Sequence, residues 1–381
     1  MAKPRILFIL NSLAGGGAER VVLSLLDLSA DLRDRYDFSL ALLDRETPDY
    51  SPPTWLTVHQ LDAQFGLAQS VKQLRALVAQ VQPDATFAFL VRSNLASIIV
   101  ARLAGHKAII SERANTSGHF PTDLKGRLSR LMVRLLYPRA DHIVSVSAGI
   151  ADDLVQNFGV SADRITTIPN PVRADAIRAS GAQDPAWTSE RPYAVAVSRL
   201  APNKNVALVL DGLARADTNV ALAVMGQGPE RERLEVQAAA LGIADRVHFL
   251  GFQSNPYAIM ARAAFYVSGS NAEGFPNGLV EALALGIPVL STNCPSGPSE
   301  ILADSAREAI SGLTIAPYGI LTPPNDADSM ARGMEAALEP GLSAELVAAG
   351  PKRAAEYAPL RVRDAYWGIV EKVLAKKGGR S

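Results

Sequence analysis

Arg199 and Lys204 lie five residues apart in Ser198-Arg199-Leu200-Ala201-Pro202-Asn203-Lys204-Asn205, directly after a short apolar run. A planar guanidinium and a compact ammonium at one strand end suit a diphosphate, although a solvated surface pair would have the same spacing. Further on, Glu273 and Glu281 stand eight positions apart and straddle the turn Gly274-Phe275-Pro276. There, amides of Gly278 and Leu279 at a helix start could face a phosphate, and a carboxylate one turn in could accept two ribose hydroxyls. Gly226-Gln227-Gly228-Pro229 and Phe249-Leu250-Gly251-Phe252 read as tight turns at the same sheet edge. Near the N-terminus, Gly15-Gly16-Gly17 follows Asn11-Ser12-Leu13-Ala14 and opens a helix, a turn in which backbone N–H groups can approach an anion. It could equally be a flexible loop. The spacing is not G-x-G-x-x-G, which disfavours a dinucleotide.

These groups need elements to hold them. Short apolar runs at 6–10, 38–43, 85–89, 108–111 and 142–145 alternate with amphipathic segments such as 93–104 and 150–158. A second series runs through 193–197, 220–225, 247–250, 265–268 and 289–292, with helical segments at 327–338 and 366–374. Alternation of this kind predicts parallel sheets covered by helices on both faces, so two Rossmann-like α/β domains. Pro169-Asn170-Pro171-Val172 and the weakly periodic stretch 174–191 read as the linker. The expected domains are therefore 1–172 and 190–360, followed by a C-terminal helix and basic tail at 361–381 that packs back on the first domain.

Composition narrows the function. The 381 residues carry 38 Lys+Arg against 38 Asp+Glu, which argues against a nucleic-acid binder that uses its whole surface. Hydrophobic residues make up 48% and charged ones 20%, with a mean hydropathy of +0.10, enough apolar material for two cores and unlike a disordered chain. A lone cysteine, Cys294, supplies neither an internal disulfide nor a zinc cluster and fits a cytoplasmic setting. No stretch reaches the ~20 apolar residues of a membrane span, so contact with a bilayer would be peripheral.

Taken in order, Gly15-Gly16-Gly17, Ser198-Arg199-Leu200 with Lys204-Asn205, Gly226-x-Gly228-Pro229 and the E-x7-E element from Glu273 to Glu281 resemble the family-four retaining glycosyltransferases of the GT-B fold. The resemblance spans nearly the whole chain. It implies that Arg199 and Lys204 bind the donor pyrophosphate, Glu281 the ribose, and Glu273 the transferred sugar near its anomeric centre. The Gly15–Gly17 loop would close over the phosphates, with Gly226, Gly251, Phe275, Gly278 and Leu279 completing the nucleotide site. The site would lie in the cleft between the domains. No cofactor or metal is required by such a mechanism; the donor is a nucleotide-diphosphate sugar, UDP being favoured. The loop from Asn293 to Glu300 also looks like that of bacterial polysaccharide and N-acetylhexosamine transferases.

One departure concerns the first domain. Many members of the family it resembles carry a histidine directly after the strand at 108–111, whereas this chain has Glu112-Arg113-Ala114-Asn115, with His119 the nearest histidine. Either Glu112 or His119 could contact the sugar, or His119 is simply a loop residue. Next comes a segment, 124–139, in which Leu124, Leu128, Leu131 and Leu135 form one helical stripe, with Lys125, Arg127, Arg130 and Arg134 off it. Residues 107–139 hold seven cations against two anions in an otherwise neutral chain. The expectation is a helix whose leucines fix it to the domain and whose cations meet an anionic membrane surface or a lipid pyrophosphate; a packed helix with solvated arginines is the plainer alternative. The sequence thus points to transfer of a hexose or N-acetylhexosamine to a lipid-linked or cell-surface glycan at the inner face of the cytoplasmic membrane. A non-catalytic sugar-nucleotide-binding relative, or an NAD-dependent or epimerase-type Rossmann enzyme, stands as the alternative.

Overall fold

Runs such as Ile6-Leu7-Phe8-Ile9-Leu10 and Ala85-Thr86-Phe87-Ala88-Phe89 are apolar on both strand faces, which a strand tolerates only when helices cover the sheet on each side. The computed structural model describes residues 2–14, 16–120 and 123–375, without the His119 side chain. It divides into two compact units. One takes in the chain up to Pro171 and again from Pro359; the other is Val172–Ala358.

The first unit holds seven parallel strands: β1 (Arg5–Leu10), β2 (Asp37–Leu42), β3 (Thr57–Gln60), β4 (Ala85–Phe89), β5 (Lys107–Glu112), β6 (His142–Ser145) and β7 (Ile165–Thr167). Their order is β3-β2-β1-β4-β5-β6-β7, with Phe8 in register with Leu40 on one side and Phe87 on the other. The order reverses between β1 and β4, the point at which open α/β sheets bind ligands beyond their strand ends. The core is aromatic. Phe8, Phe87 and Phe89 stack with centroids 4.9–6.5 Å apart, and Trp367 meets Phe8 edge-on at 6.3 Å. Trp367 and Tyr366 belong to the helix Pro359–Ala375, whose indole N–H donates to Ser29 Oγ at 2.7 Å and whose Arg363 reaches the Leu28 carbonyl at 2.9 Å. This last helix is therefore a core element of the first unit.

The second unit contains β8 (Tyr193–Val197), β9 (Ala221–Met225), β10 (Val247–Gly251), β11 (Phe265–Ser268), β12 (Val289–Thr292), β13 (Thr314–Ala316) and β14 (Gly319–Thr322). The order is β10-β9-β8-β11-β12-β14-β13; only β13 runs antiparallel to its neighbour. The reversal falls between β8 and β11. The fold class is the one expected, but the linker is not: Ala174–Gly181 is a helix whose Ile177 is buried in the core of this unit, and Trp187 packs against Tyr193 at 5.0 Å. Its periodicity was hard to see because only Ile177 and Gly181 are buried in eight residues. The basic tail at 376–381 lies outside the described residues.

Candidate active site

At the reversal point of the second unit, two loops emerge side by side. The first leaves β8, turns through a 3-10 segment Pro202–Lys204, and passes Asn205 in a left-handed conformation (φ 43°) before the helix Val206–Arg215. The second leaves β11. Gly269 lets it come that close, because a Cβ there would lie 2.6 Å from the Asn205 carbonyl oxygen. The Asn271 amide donates to the Asn203 carbonyl at 2.8 Å, and Asn205 Nδ2 donates to Asn271 Oδ1 at 3.2 Å.

This junction brings Lys204 onto Glu273. The ammonium donates to both carboxylate oxygens, at 2.6 and 2.8 Å, and Ser270 Oγ donates to Oε1 at 2.6 Å. The two side chains keep only 25% and 11% of their surface exposed, so the pair is weakly screened by water. Removal of either partner would strand the other charge, at a cost of about 3–5 kcal/mol in comparable buried pairs. Arg199, by contrast, is exposed, and its side chain makes no ion pair or hydrogen bond among the described residues. One cation is held and one is presented.

The helix Asn277–Leu285 begins just after Pro276. Its Leu279 is not an open phosphate donor as the spacing suggests: the amide already donates to the Pro276 carbonyl at 3.0 Å and the side chain is buried. Gly278 is required for packing, since a Cβ would meet the Tyr266 hydroxyl at 2.4 Å. Burial first, and then the negative charges of Glu273 and Glu281, raise the Tyr266 phenol well above its ordinary pKa, so it stays protonated beneath the motif. Glu281 accepts from Tyr257 Oη at 3.2 Å. Phe275 packs edge-on against Tyr357 at 5.3 Å. The Cys294 thiol is buried, and burial followed by the Glu273 charge pushes its pKa up to about 12, so it is inert at neutral pH.

The glycines divide by cause. A Cβ on Gly226, at φ 135°, would sit 1.9 Å from the Ser198 carbonyl oxygen, and one on Gly228 would sit 2.2 Å from that of Leu200. The Gly-x-Gly pair is thus needed so that the β9 turn can press on the Arg199 loop. Gly251 needs its left-handed φ of 68°. Gly16 caps the helix Gly17–Leu28 in an extended conformation, and its missing Cβ would meet only the movable end of Glu19; Gly15 lies outside the described residues.

Two family models match the chain. Residues 15–176 match Glycosyltransferase Family 4 and residues 180–354 match Glycosyl transferases group 1. The chain belongs to the family-four GT-B glycosyltransferases. Over 341 residues, 86% of this chain and 88% of the relative, it is 29% identical to a Campylobacter jejuni N-acetylgalactosamine-N,N'-diacetylbacillosaminyl-diphospho-undecaprenol 4-alpha-N-acetylgalactosaminyltransferase. A second C. jejuni relative, a GalNAc-alpha-(1->4)-GalNAc-alpha-(1->3)-diNAcBac-PP-undecaprenol alpha-1,4-N-acetyl-D-galactosaminyltransferase, is 25% identical over 97% of this chain and 99% of its own. In fold it is similar to Anabaena HepE, solved in complex with UDP, with a TM-score of 0.75, 19% identity, and coverage of 97% and 100%.

In the first unit of this glycosyltransferase, Glu112 is buried rather than presented at the surface. It is 2% exposed, accepts from Tyr137 Oη at 2.7 Å, and caps the amides of Arg113 and Ala114 at 2.9 and 3.3 Å. It shapes the turn after β5. Burial, with Glu112 second, holds the Tyr137 phenol well above its ordinary pKa. The His119 backbone ends the short helix Thr116–His119; its side chain is outside the described residues.

The basic segment is a helix, Leu124–Leu136, capped by Asp123 Oδ1 on the Gly126 amide at 2.7 Å. Its orientation corrects the expectation. Gly126 and Val133 are the buried positions, whereas Leu124, Leu128, Leu131 and Leu135 are 82%, 56%, 50% and 52% exposed. Small and branched residues let the helix lie close to the unit, and the leucines stand outward among Lys125, Arg127, Arg130 and Arg134, all of them exposed. Among the described residues, no helix is long and apolar enough to cross a membrane. Ser270, Tyr257 and Tyr266 escaped the sequence reading; a serine three positions before Glu273 was the one local signal.

Proposed function

We propose that this glycosyltransferase moves a hexose or N-acetylhexosamine from a UDP-sugar to a lipid-linked or cell-surface glycan, with retention at the anomeric carbon and without a metal. The observation that carries it is the Lys204–Glu273–Ser270 cluster at the reversal point of the second unit, with Arg199 exposed beside it. Arg199 and Lys204 hold the donor diphosphate and offset the charge that builds on it as the C1–O bond breaks. Glu281, oriented by Tyr257, accepts the ribose hydroxyls; Glu273 faces the transferred sugar while it keeps Lys204 in place. The relatives named above act, by their names, on undecaprenol-linked saccharides, which favours an acceptor of that class here. The exposed leucines and cations of Leu124–Leu136 suit an acceptor held at an anionic membrane surface, with the enzyme on its cytoplasmic side.

Calorimetric titration with UDP tests the donor site. Arg199→Ala and Lys204→Ala should each weaken binding about tenfold or more, the effect of losing a charge-assisted hydrogen bond. Unchanged affinity and turnover in both variants would refute the assignment. Turnover with a UDP-sugar should persist in EDTA, and proton NMR of the product should show the donor's anomeric configuration; an activity abolished by EDTA and restored by manganese, or an inverted product, would overturn the corresponding part of the mechanism.

A further inference from the structure

Eight described non-glycine residues have positive φ, and three of them gather at the carboxyl edge of the first sheet: Gln64 (49°), Phe65 (58°) and Leu90 (75°). Left-handed backbone costs a side-chain-bearing residue about 1–2 kcal/mol. Two such residues in succession in the loop after β3 would normally be relieved by glycine or offset by burial. Here the reverse holds, because Phe65 is 65% exposed.

Asp44, buried just beyond β2, ties this loop down. One carboxylate oxygen accepts the Phe65 amide at 3.0 Å and Arg92 Nη1 at 3.1 Å, and the other accepts Arg92 Nη2. Arg92 Nη1 also reaches Ser70 Oγ at 3.3 Å, and its guanidinium carbon lies 5.9 Å from the centre of the Phe65 ring. The Asp44 amide in turn donates to the Asn11 carbonyl at 2.8 Å, and Asn11 Oδ1 accepts from Ser93 Oγ at 2.7 Å. The ring is thus fastened, through one buried carboxylate, to the start of the glycine-rich turn at the reversal point of this sheet.

We infer that Phe65 and Arg92 form a saccharide subsite, in which a pyranose ring of the acceptor lies on the phenyl face and turns oxygen atoms toward the guanidinium. The face of an aromatic ring is negative and attracts the positively polarised C–H bonds on one side of a pyranose. A wholly apolar partner would cover the 17% of the Arg92 side chain that is still exposed without replacing its water, whereas sugar oxygens can accept from the guanidinium N–H groups that Asp44 and Ser70 leave over. A guanidinium carbon 5.9 Å over the ring centre therefore selects a ligand that offers a C–H face to the phenyl group and oxygen atoms to the cation. The identification of that ligand as the acceptor rests on the transferase reading given above.

The test uses the full chain and methyl α-glycosides of galactose, N-acetylgalactosamine, glucose and N-acetylglucosamine as probes. Saturation-transfer NMR should show at least one of them binding, with the strongest transfer to ring C–H protons. Phe65→Ala should weaken that binding about fivefold, the ratio equivalent to about 1 kcal/mol of ring contact. Phe65→Trp should keep it within about twofold, because the larger ring offers the same face. All three proteins should bind UDP alike. The proposal is overturned if no glycoside binds the wild type, if Phe65→Ala binds as wild type does, or if Phe65→Trp loses binding together with Phe65→Ala. Glycoside binding without UDP binding in the wild type would instead remove the donor reading and leave the subsite standing.

Discussion

Replacement of Leu128 and Leu131 by serine distinguishes a helix glued to its domain from one aimed at a bilayer. Were these leucines core residues, the double variant would lose several kcal/mol of stability. They are 56% and 50% exposed, so folding gains little from them and the melting temperature should stay within about 2 °C of wild type. Membrane affinity should behave otherwise. A fully buried leucine contributes about 2 kcal/mol, so half of each side chain entering the lipid interface contributes about 1 kcal/mol. Loss of both should weaken partitioning about 30-fold. Co-sedimentation with vesicles containing phosphatidylglycerol reads this directly, and salt separates the contributions. The cations near the surface add about 1 kcal/mol each and are screened at high ionic strength, whereas the leucine share is not. Arg127→Glu with Arg134→Glu should abolish the salt dependence; the serine variant should retain it at lower affinity. Unchanged sedimentation of the serine variant, or a fall of many degrees in its melting temperature, would refute the outward-facing stripe.

Two glycines should part company when each becomes alanine. Gly226→Ala drives a Cβ against the Ser198 carbonyl and should cost about 3 kcal/mol or more, several degrees in melting temperature with or without UDP, while Gly16→Ala should leave the melt unchanged; equal melts for the two would refute the packing account. His106 supplies a pH test. Burial lowers its pKa from 6.5 to about 4, partly opposed by Asp141, so the unfolded chain binds its proton first. Stability is full above pH 6.5 and is lost as pH falls toward 4, by about 3 kcal/mol for this group. The wild-type denaturant midpoint should therefore fall relative to that of His106→Gln as pH drops across that interval; parallel curves would exclude the assignment.

Much of the architecture was legible because buried parallel strands are nearly continuous apolar runs, and β1, β4, β8, β11 and β12 appear where those runs lie. The strands that escaped, β3, β7, β13 and β14, are three or four residues long, and the first three carry exposed or half-exposed positions, so neither a run nor an alternation forms. In the helix Leu124–Leu136 the periodicity was read correctly and the face wrongly. A helix of this composition offers two stripes, and the unit buries the one bearing Gly126 and Val133 because close approach favours small side chains over large ones. Lys204 and Glu273 were found as single residues, but their pairing joins positions 69 apart and depends on two loops that glycine allows to touch.

Trp367 and Tyr366 complete the aromatic core around Phe8 and Phe87, so the first unit is assembled from both ends of the chain. This dictates an order of events at the ribosome. The middle of the chain can close on itself as soon as Ala358 has emerged, while the stretch up to Pro171 lacks one aromatic flank until the helix Pro359–Ala375 has emerged behind it. Biogenesis is consequently back to front: the unit made first is finished last, and its nascent form is the one that a chaperone would have to shield.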